Sequence, residues 1–167
     1  MASIEEQTPE RFGGFFVSAV DDKGRILIDK KNRDRLGRNF VASVMPNGCL
    51  ALYRKSVWQK MEAKVERAES DQPGWEHYSR LKYLGTADEL NCDQQGRFVI
   101  PQWLREMANL KEEVNLIGAG NRLEIWNAEE FKKYRANPFE YNAEQRRLID
   151  QARSMVLEQI EGSEWGI

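Results

Sequence analysis

Two arginines, each preceded four positions earlier by an aspartate, are the side chains of this sequence whose types and spacing best suit binding chemistry. The segment DDKGRILI at residues 21–28 returns as DQQGRFVI at residues 93–100, 72 positions later. An aspartate that opens such a turn can accept backbone N–H groups, and a glycine near its end can adopt a positive φ. We therefore expect two similar turns that present Arg25 and Arg97. The residues predicted to build them are Asp21, Gly24, Asp93 and Gly96.

Basic side chains are concentrated around the first turn. Residues 21–38 contain seven basic residues and four aspartates, a local charge of +3, whereas the matching residues 93–110 are neutral. Guanidinium and ammonium groups bind phosphates and base edges, so we expect the first copy to contribute more to nucleic-acid binding. The alternative, an Asp–Arg pair across the turn among solvated lysines, has more weight for the second copy. The candidate nucleic-acid contacts in the first copy are Lys23, Arg25, Lys30, Lys31, Arg33 and Arg35.

The repetition extends beyond the two turns and predicts a duplicated fold. Each Gly-Arg is followed by three apolar residues, and then by Asp29 in the first copy or Pro101 in the second. An arginine follows four positions later, Arg33 or Arg105. Residues 41–53 align with residues 114–126 at an offset of 73. The chain is thus predicted to consist of two copies of one strand-rich unit of about 70 residues that share a core.

Local patterns predict the elements that position the turns. Residues 15–20 and 25–28 are expected to form a hairpin, as are the two strands within residues 88–100. Asp29 is predicted to cap a short helix that Gly37 ends, and Pro101 to occupy the first position of its counterpart. Further hairpins turn at residues 45–48 and 118–121, and capping boxes begin at Ser56 and Asn127. Amphipathic helices are also predicted for residues 73–84 and from Asn142 onward.

Composition and rare residues exclude several classes of function. The 167 residues are 41% apolar and 31% charged with a net charge of −2, which is typical of a globular protein. No apolar run is long enough to span a bilayer, and the acidic, polar first residues do not fit a signal peptide, so we expect a cytoplasmic protein. Cys49 and Cys92 are not spaced as a redox or metal pair, and His77 is the only histidine. We therefore expect no catalytic site, no metal and no cofactor.

Two copies of Asp-x-x-Gly-Arg, three apolar residues, Pro and a later Arg resemble the bacterial MraZ family of transcriptional regulators over residues 12–141. The resemblance implies two interlocking swapped-hairpin units of the AbrB or SpoVT type, forming an intrachain pseudo-dimer barrel. It also implies a ring-like homo-oligomer that binds double-stranded DNA at repeated promoter sites of the division and cell-wall gene cluster, its own gene included. Arg25 and Arg97 would face the DNA. Asp29 replaces the motif proline, and Gln95 stands where the first copy has Lys23.

These inferences predict an α+β, β-rich fold with flanking amphipathic helices. The expected organisation is a tail at residues 1–11, a first repeat with its connecting helix at 12–83, a second repeat at 84–141 and a C-terminal helix and tail at 142–167. We expect a nucleoid-associated DNA-binding regulator in which Pro101 and Arg105 have structural roles. The alternative is a ring-forming structural or protein-binding module without DNA, in which the apolar stripe of the C-terminal helix serves for docking.

Overall fold

The computed structural model describes residues 11–45, 47–69 and 75–141, and within them the chain is an α+β protein, as predicted. The predicted N-terminal tail before Arg11, Pro46 of the first hairpin turn and the helix from Asn142 lie outside the described residues. The strands are β1 Phe15–Ala19, β2 Arg25–Leu27, β3 Phe40–Val44, β4 Leu50–Tyr53, β5 Thr86–Leu90, β6 Arg97–Val99, β7 Glu113–Gly118 and β8 Leu123–Asn127. The helices are α1 Lys30–Leu36, α2 Lys55–Glu69, α3 Trp75–Leu84, α4 Gln102–Met107 and α5 Ala128–Ala136.

Six strands form one antiparallel sheet of order β1-β7-β8-β4-β3-β5. In this sheet β1, β3 and β4 belong to the first copy, and β5, β7 and β8 belong to the second. The hairpins β3–β4 and β7–β8 form within each copy as predicted and meet where β4 pairs with β8. The outer strands are exchanged, since β1 of the first copy pairs with β7 of the second, and β5 of the second pairs with β3 of the first. The strand pairing does not close the sheet into a barrel, because β1 and β5 are its two ends.

A separate two-stranded ribbon, β2–β6, corrects the expectation of a local hairpin between β1 and the strand that follows the first turn. Between those two segments the strand pairing is limited to an isolated bridge, Val20 to Ile26, beside a side-chain bond from Ser18 Oγ to Leu27 O at 3.3 Å. The strand β2 pairs instead with β6 of the other copy. Each turn is tied to the opposite copy, since Ile28 N–H donates to Gly96 O and Ile100 N–H donates to Gly24 O, both at 2.9 Å. The exchange thus pairs one strand from each copy, and each strand has a buried apolar residue at its centre, Ile26 or Phe98.

The two copies share one hydrophobic core beneath this ribbon. Ile26 of β2 is fully buried and Phe98 of β6 is 3% exposed. The Phe98 ring packs edge-on against Phe40 of β3, with ring centroids 5.1 Å apart. Because burying one such side chain stabilises a fold by about 1.5–3 kcal/mol, contacts between copies hold the ribbon in place. Neither copy has a complete core of its own.

The helix starts follow the local chemistry with small differences. Asp29 caps α1 by accepting the Asn32 N–H at 3.2 Å, and Gly37 ends that helix at φ 72°, both as predicted. Asn127 caps α5, its Oδ1 accepting from the backbone of Glu129 and Glu130 at 2.9 and 3.2 Å. Pro101 lies at the N-cap of α4 rather than at its first helical residue. The helix α2 begins at Lys55, so Ser56 lies inside its first turn instead of preceding it.

Candidate nucleic-acid interface

The Asp21 carboxylate organises the first turn and holds its arginine. Its Oδ1 accepts the backbone N–H groups of Lys23 at 2.9 Å and Arg25 at 2.8 Å, and its Oδ2 accepts Arg25 Nε at 2.7 Å. Gly24 completes the turn at φ 79°, a conformation that L side chains disfavour. The backbone N–H of Arg25 is the main reason that the pKa of Asp21 lies below its usual value. The Asp–Arg pair considered as an alternative for this copy is therefore present, and it engages Nε rather than the terminal nitrogens.

The second turn repeats the backbone geometry but holds its arginine differently. Asp93 Oδ1 accepts from the backbone of Gln95 at 2.9 Å and Arg97 at 3.0 Å, and the Arg97 N–H is the main cause of the lowered pKa of Asp93. Arg97 Nε lies 3.6 Å from Asp93 Oδ2, and its Nη2 donates to Gln95 Oε1. A terminal nitrogen of Arg97 is thus engaged by its own turn. Lys23, at the corresponding position of the first copy, has no side-chain oxygen that could accept a hydrogen bond from Arg25.

Both arginines lie on the outward face of the β2–β6 ribbon. Arg25 is paired with Val99, and Leu27 with Arg97, while the central pair Ile26–Phe98 is buried. Since successive side chains of a strand point to opposite faces, these four residues share the outer face. Leu27 and Val99 are each 53% exposed. Neither residue was predicted to be part of the site. The period-two alternation of a strand over residues 25–27 and 97–99 could have placed both on the same face as the arginines.

The downstream arginines lie against the turn glycines of the opposite copy. A Cβ added to Gly24 would lie 2.7 Å from Arg105 Cζ, and one added to Gly96 would lie 2.6 Å from Arg33 Cζ. These short distances show that the two guanidinium groups pack against the turns. The Nε atoms of both arginines are buried and have no hydrogen-bond partner. Arg33, predicted as a DNA contact, thus has the same environment as Arg105, which was predicted to be structural. The structure brings the two into equivalent positions.

The remaining predicted contacts lie in the first turn and on α1. Lys23 is exposed in the turn, and Lys30 and Lys31 are exposed in the first turn of α1, which begins three positions beyond the end of the ribbon strand. Arg35 is partly buried in the last turn of that helix. The acid at Asp29 is occupied by its capping role, because its Oδ1 also accepts Asn32 Nδ2 at 2.7 Å. Exposed cations therefore extend from the ribbon onto α1.

Neither free thiol is exposed, although Cys92 directly precedes Asp93 of the second turn. Cys49 is buried and Cys92 is half-buried. Burial raises the pKa of both thiols, that of Cys92 to about 11. Within the described ranges, no three His, Cys, Asp or Glu side chains are grouped as metal ligands. In the same part of the chain, no helix has the length and apolar character needed to cross a bilayer.

Fold and site together define a duplicated, strand-exchanged α+β protein that presents two arginine-bearing turns on a shared ribbon. The family described as "MraZ protein, putative antitoxin-like" matches the chain twice, at residues 12–80 and 83–151, and the chain belongs to this family. A relative from Heliobacterium modesticaldum, named Transcriptional regulator MraZ, is 38% identical over 141 residues, which cover 83% of this chain and 97% of the relative. Relatives of the same name from Syntrophomonas wolfei and Pediococcus pentosaceus are 37% and 40% identical, covering 75% and 70% of this chain and 87% and 80% of their own.

Proposed function

We propose that this chain is a transcriptional regulator that binds double-stranded DNA in a sequence-specific manner through the outer face of the β2–β6 ribbon. The observation that carries the proposal is the presence of Arg25 and Arg97 on that face, each beside the aspartate that opens its own turn. The major groove admits a two-stranded β-ribbon, and arginine bound to guanine O6 and N7 is the commonest specific contact there. The names of the relatives support the regulatory role.

The first turn contributes more binding free energy in this proposal. Arg25 is fixed through Nε, which leaves its terminal nitrogens to a base, whereas Arg97 gives one of them to Gln95. Lys23, Lys30 and Lys31 add exposed charge for phosphates next to the first turn. We assign Arg35 a secondary phosphate contact because it is partly buried. Arg33 acts with Arg105 as a support of the turns, because each packs against the glycine of the opposite copy.

The proposal includes self-assembly in the cytoplasm. Subunits of a ring-like homo-oligomer each bind weakly, and several repeated sites held at once raise the overall affinity. We place these sites in the promoter of the division and cell-wall gene cluster, the chain's own gene included, with the protein associated with the nucleoid. No cofactor, metal or membrane is part of this function.

A gel-shift titration with the DNA upstream of the chain's own gene tests the proposal. Arg25→Ala should weaken binding about ten- to hundred-fold, the range expected for one bidentate base contact, and Arg97→Ala by less. Arg135→Ala is the matched control, since that exposed arginine belongs to α5, which packs against β7 and β8. Affinity should also fall steeply as the salt concentration rises from about 50 to about 200 mM, because each phosphate contact releases counterions from the DNA.

The outcomes separate the two parts of the proposal. Equal losses for Arg25→Ala and Arg97→Ala would refute the asymmetry between turns. Unchanged binding in both variants would refute the site. An assembled protein, verified by light scattering, that binds no fragment of its own chromosome would favour a ring-forming structural or protein-binding module instead.

A further inference from the structure

We propose that Leu27 and Val99 are specificity-determining residues that contact the C5-methyl groups of thymines in the major groove. The inference rests on the proposed DNA-binding function and adds a second kind of base recognition to it. Arginine selects guanine through hydrogen bonds, whereas an exposed aliphatic side chain selects the one base that presents a methyl group in that groove.

The position of these two side chains is the first observation. Single exposed apolar residues are ordinary on protein surfaces. Leu27 and Val99, however, occupy equivalent positions in the two copies, and each is paired across the ribbon with the arginine of the other copy. Each is 53% exposed, while their strand neighbours Ile26 and Phe98 are buried. The outer face therefore consists of two arginine–aliphatic pairs related by the internal repeat.

The spacing of the face matches the spacing of base pairs. Side chains directly opposite in an antiparallel pair are about 4.5–5.5 Å apart at Cβ, and those two positions apart on one strand are about 6.6 Å apart. Successive bases of one strand are separated by about 3.4 Å along the duplex axis. An arginine bound to guanine thus places the neighbouring aliphatic side chain one or two base pairs away. The sites recognised should carry thymine at that distance from the guanine.

The rigidity of the ribbon makes such a contact selective. The buried Ile26–Phe98 pair fixes the ribbon from below, and the bonds from Ile28 to Gly96 and from Ile100 to Gly24 fix both of its ends. Leu27 and Val99 are therefore presented on a backbone that needs little ordering upon binding. Contact with a thymine methyl buries apolar area on both partners, whereas cytosine offers only a hydrogen at the same position.

Single-atom changes in the DNA test the inference directly. The full chain is first used to select duplexes from a random-sequence library, and the enriched duplex is then synthesised with deoxyuridine in place of each thymine in turn. Replacement at the thymines near the guanine should weaken binding about three- to five-fold each, the value of one buried methyl. The Leu27→Ala, Val99→Ala double variant should bind the thymine and deoxyuridine duplexes with equal affinity. Val17→Ala, which truncates a 78% exposed aliphatic residue of β1, should keep the native preference.

The outcomes distinguish this inference from the proposed function. Failure to enrich any duplex would refute DNA recognition itself. Enrichment with dependence on Arg25 but without sensitivity to deoxyuridine would overturn the thymine contact alone. The contact would also be overturned if the double variant, with its assembly state verified by light scattering, kept the native preference for thymine. Circular dichroism melts of each variant verify folding, which the buried Ile26 and Phe98 should maintain.

Discussion

Replacing Gly24 with alanine should destabilise the protein by more than its backbone conformation accounts for. At φ 79° an L residue costs about 1–2 kcal/mol. The new Cβ would in addition lie 2.7 Å from Arg105 Cζ. This atom is at the flexible end of its side chain, but Arg105 Nε is buried, so moving the guanidinium aside should cost about 1–3 kcal/mol. The expected loss in the free energy of unfolding is thus roughly 2–5 kcal/mol.

Three further variants, a glycine control, Arg105→Ala and a double variant, isolate the contribution of Arg105. Gly48 also has a positive φ, 93°, but an added Cβ meets nothing within 4 Å, so Gly48→Ala should cost only the backbone term of about 1–2 kcal/mol. Combining Gly24→Ala with Arg105→Ala removes the close contact. The double variant should therefore be more stable than the sum of the single losses predicts, by about 1–3 kcal/mol.

Urea unfolding at one fixed protein concentration measures all four variants, because assembly makes apparent stability depend on concentration. Equal losses of free energy in Gly24→Ala and Gly48→Ala, together with additive losses in Gly24→Ala and Arg105→Ala, would refute the role of Arg105. That result would mean that the guanidinium moves aside without cost and gives the turn no support.

Two other predictions follow from the described contacts. The pKa values of Asp21 and Asp93 lie below the ordinary 3.8, so the stabilisation from their carboxylates is present above that pH and is lost as the pH falls through the lowered folded value. Between pH 7 and pH 3, the melting temperature of Asp21→Asn should accordingly fall less than that of the native chain. Equal falls in the two proteins would contradict this. Glu124, 6% exposed, accepts from Arg122 Nε at 2.8 Å and Trp126 Nε1 at 2.9 Å. Glu124→Leu should cost about 2–4 kcal/mol in urea unfolding because both donors lose their acceptor, and Glu124→Gln should cost clearly less.

The repeat and its local chemistry could be predicted from the sequence because they depend on neighbouring residues. The turns opened by Asp21 and Asp93, the cap at Asp29 and the two local hairpins need contacts over only a few positions. The partner of β2 could not be predicted in this way. Pairing with β1 or with β6 satisfies the same alternation of apolar residues, and only the resemblance to a known family implied the exchange. The burial of Ile26 and Phe98 in one shared core determines the choice.

The environment of Arg33 could not be predicted either. The segment around it, residues 21–38, carries a local charge of +3, so charge alone assigned it to the proposed nucleic-acid surface. In the fold it packs beneath Gly96, in the other copy. The internal alignment with Arg105 was the available signal, because residues at equivalent positions of a repeat occupy equivalent environments. Charge patterns describe the first copy as a whole and do not distinguish exposed lysines from an arginine that supports a turn.

The exchange of strands between copies has a consequence for how such a surface evolves. In a symmetric dimer of identical chains, every substitution appears on both sides of the twofold axis. Here both turns are encoded separately, and they have already diverged to Lys23 in one and Gln95 in the other. One turn is thus free to gain affinity while the other preserves the scaffold. Under the proposed function, a duplex bound by this ribbon needs no palindrome, and its two half-sites are free to differ as the two turns do.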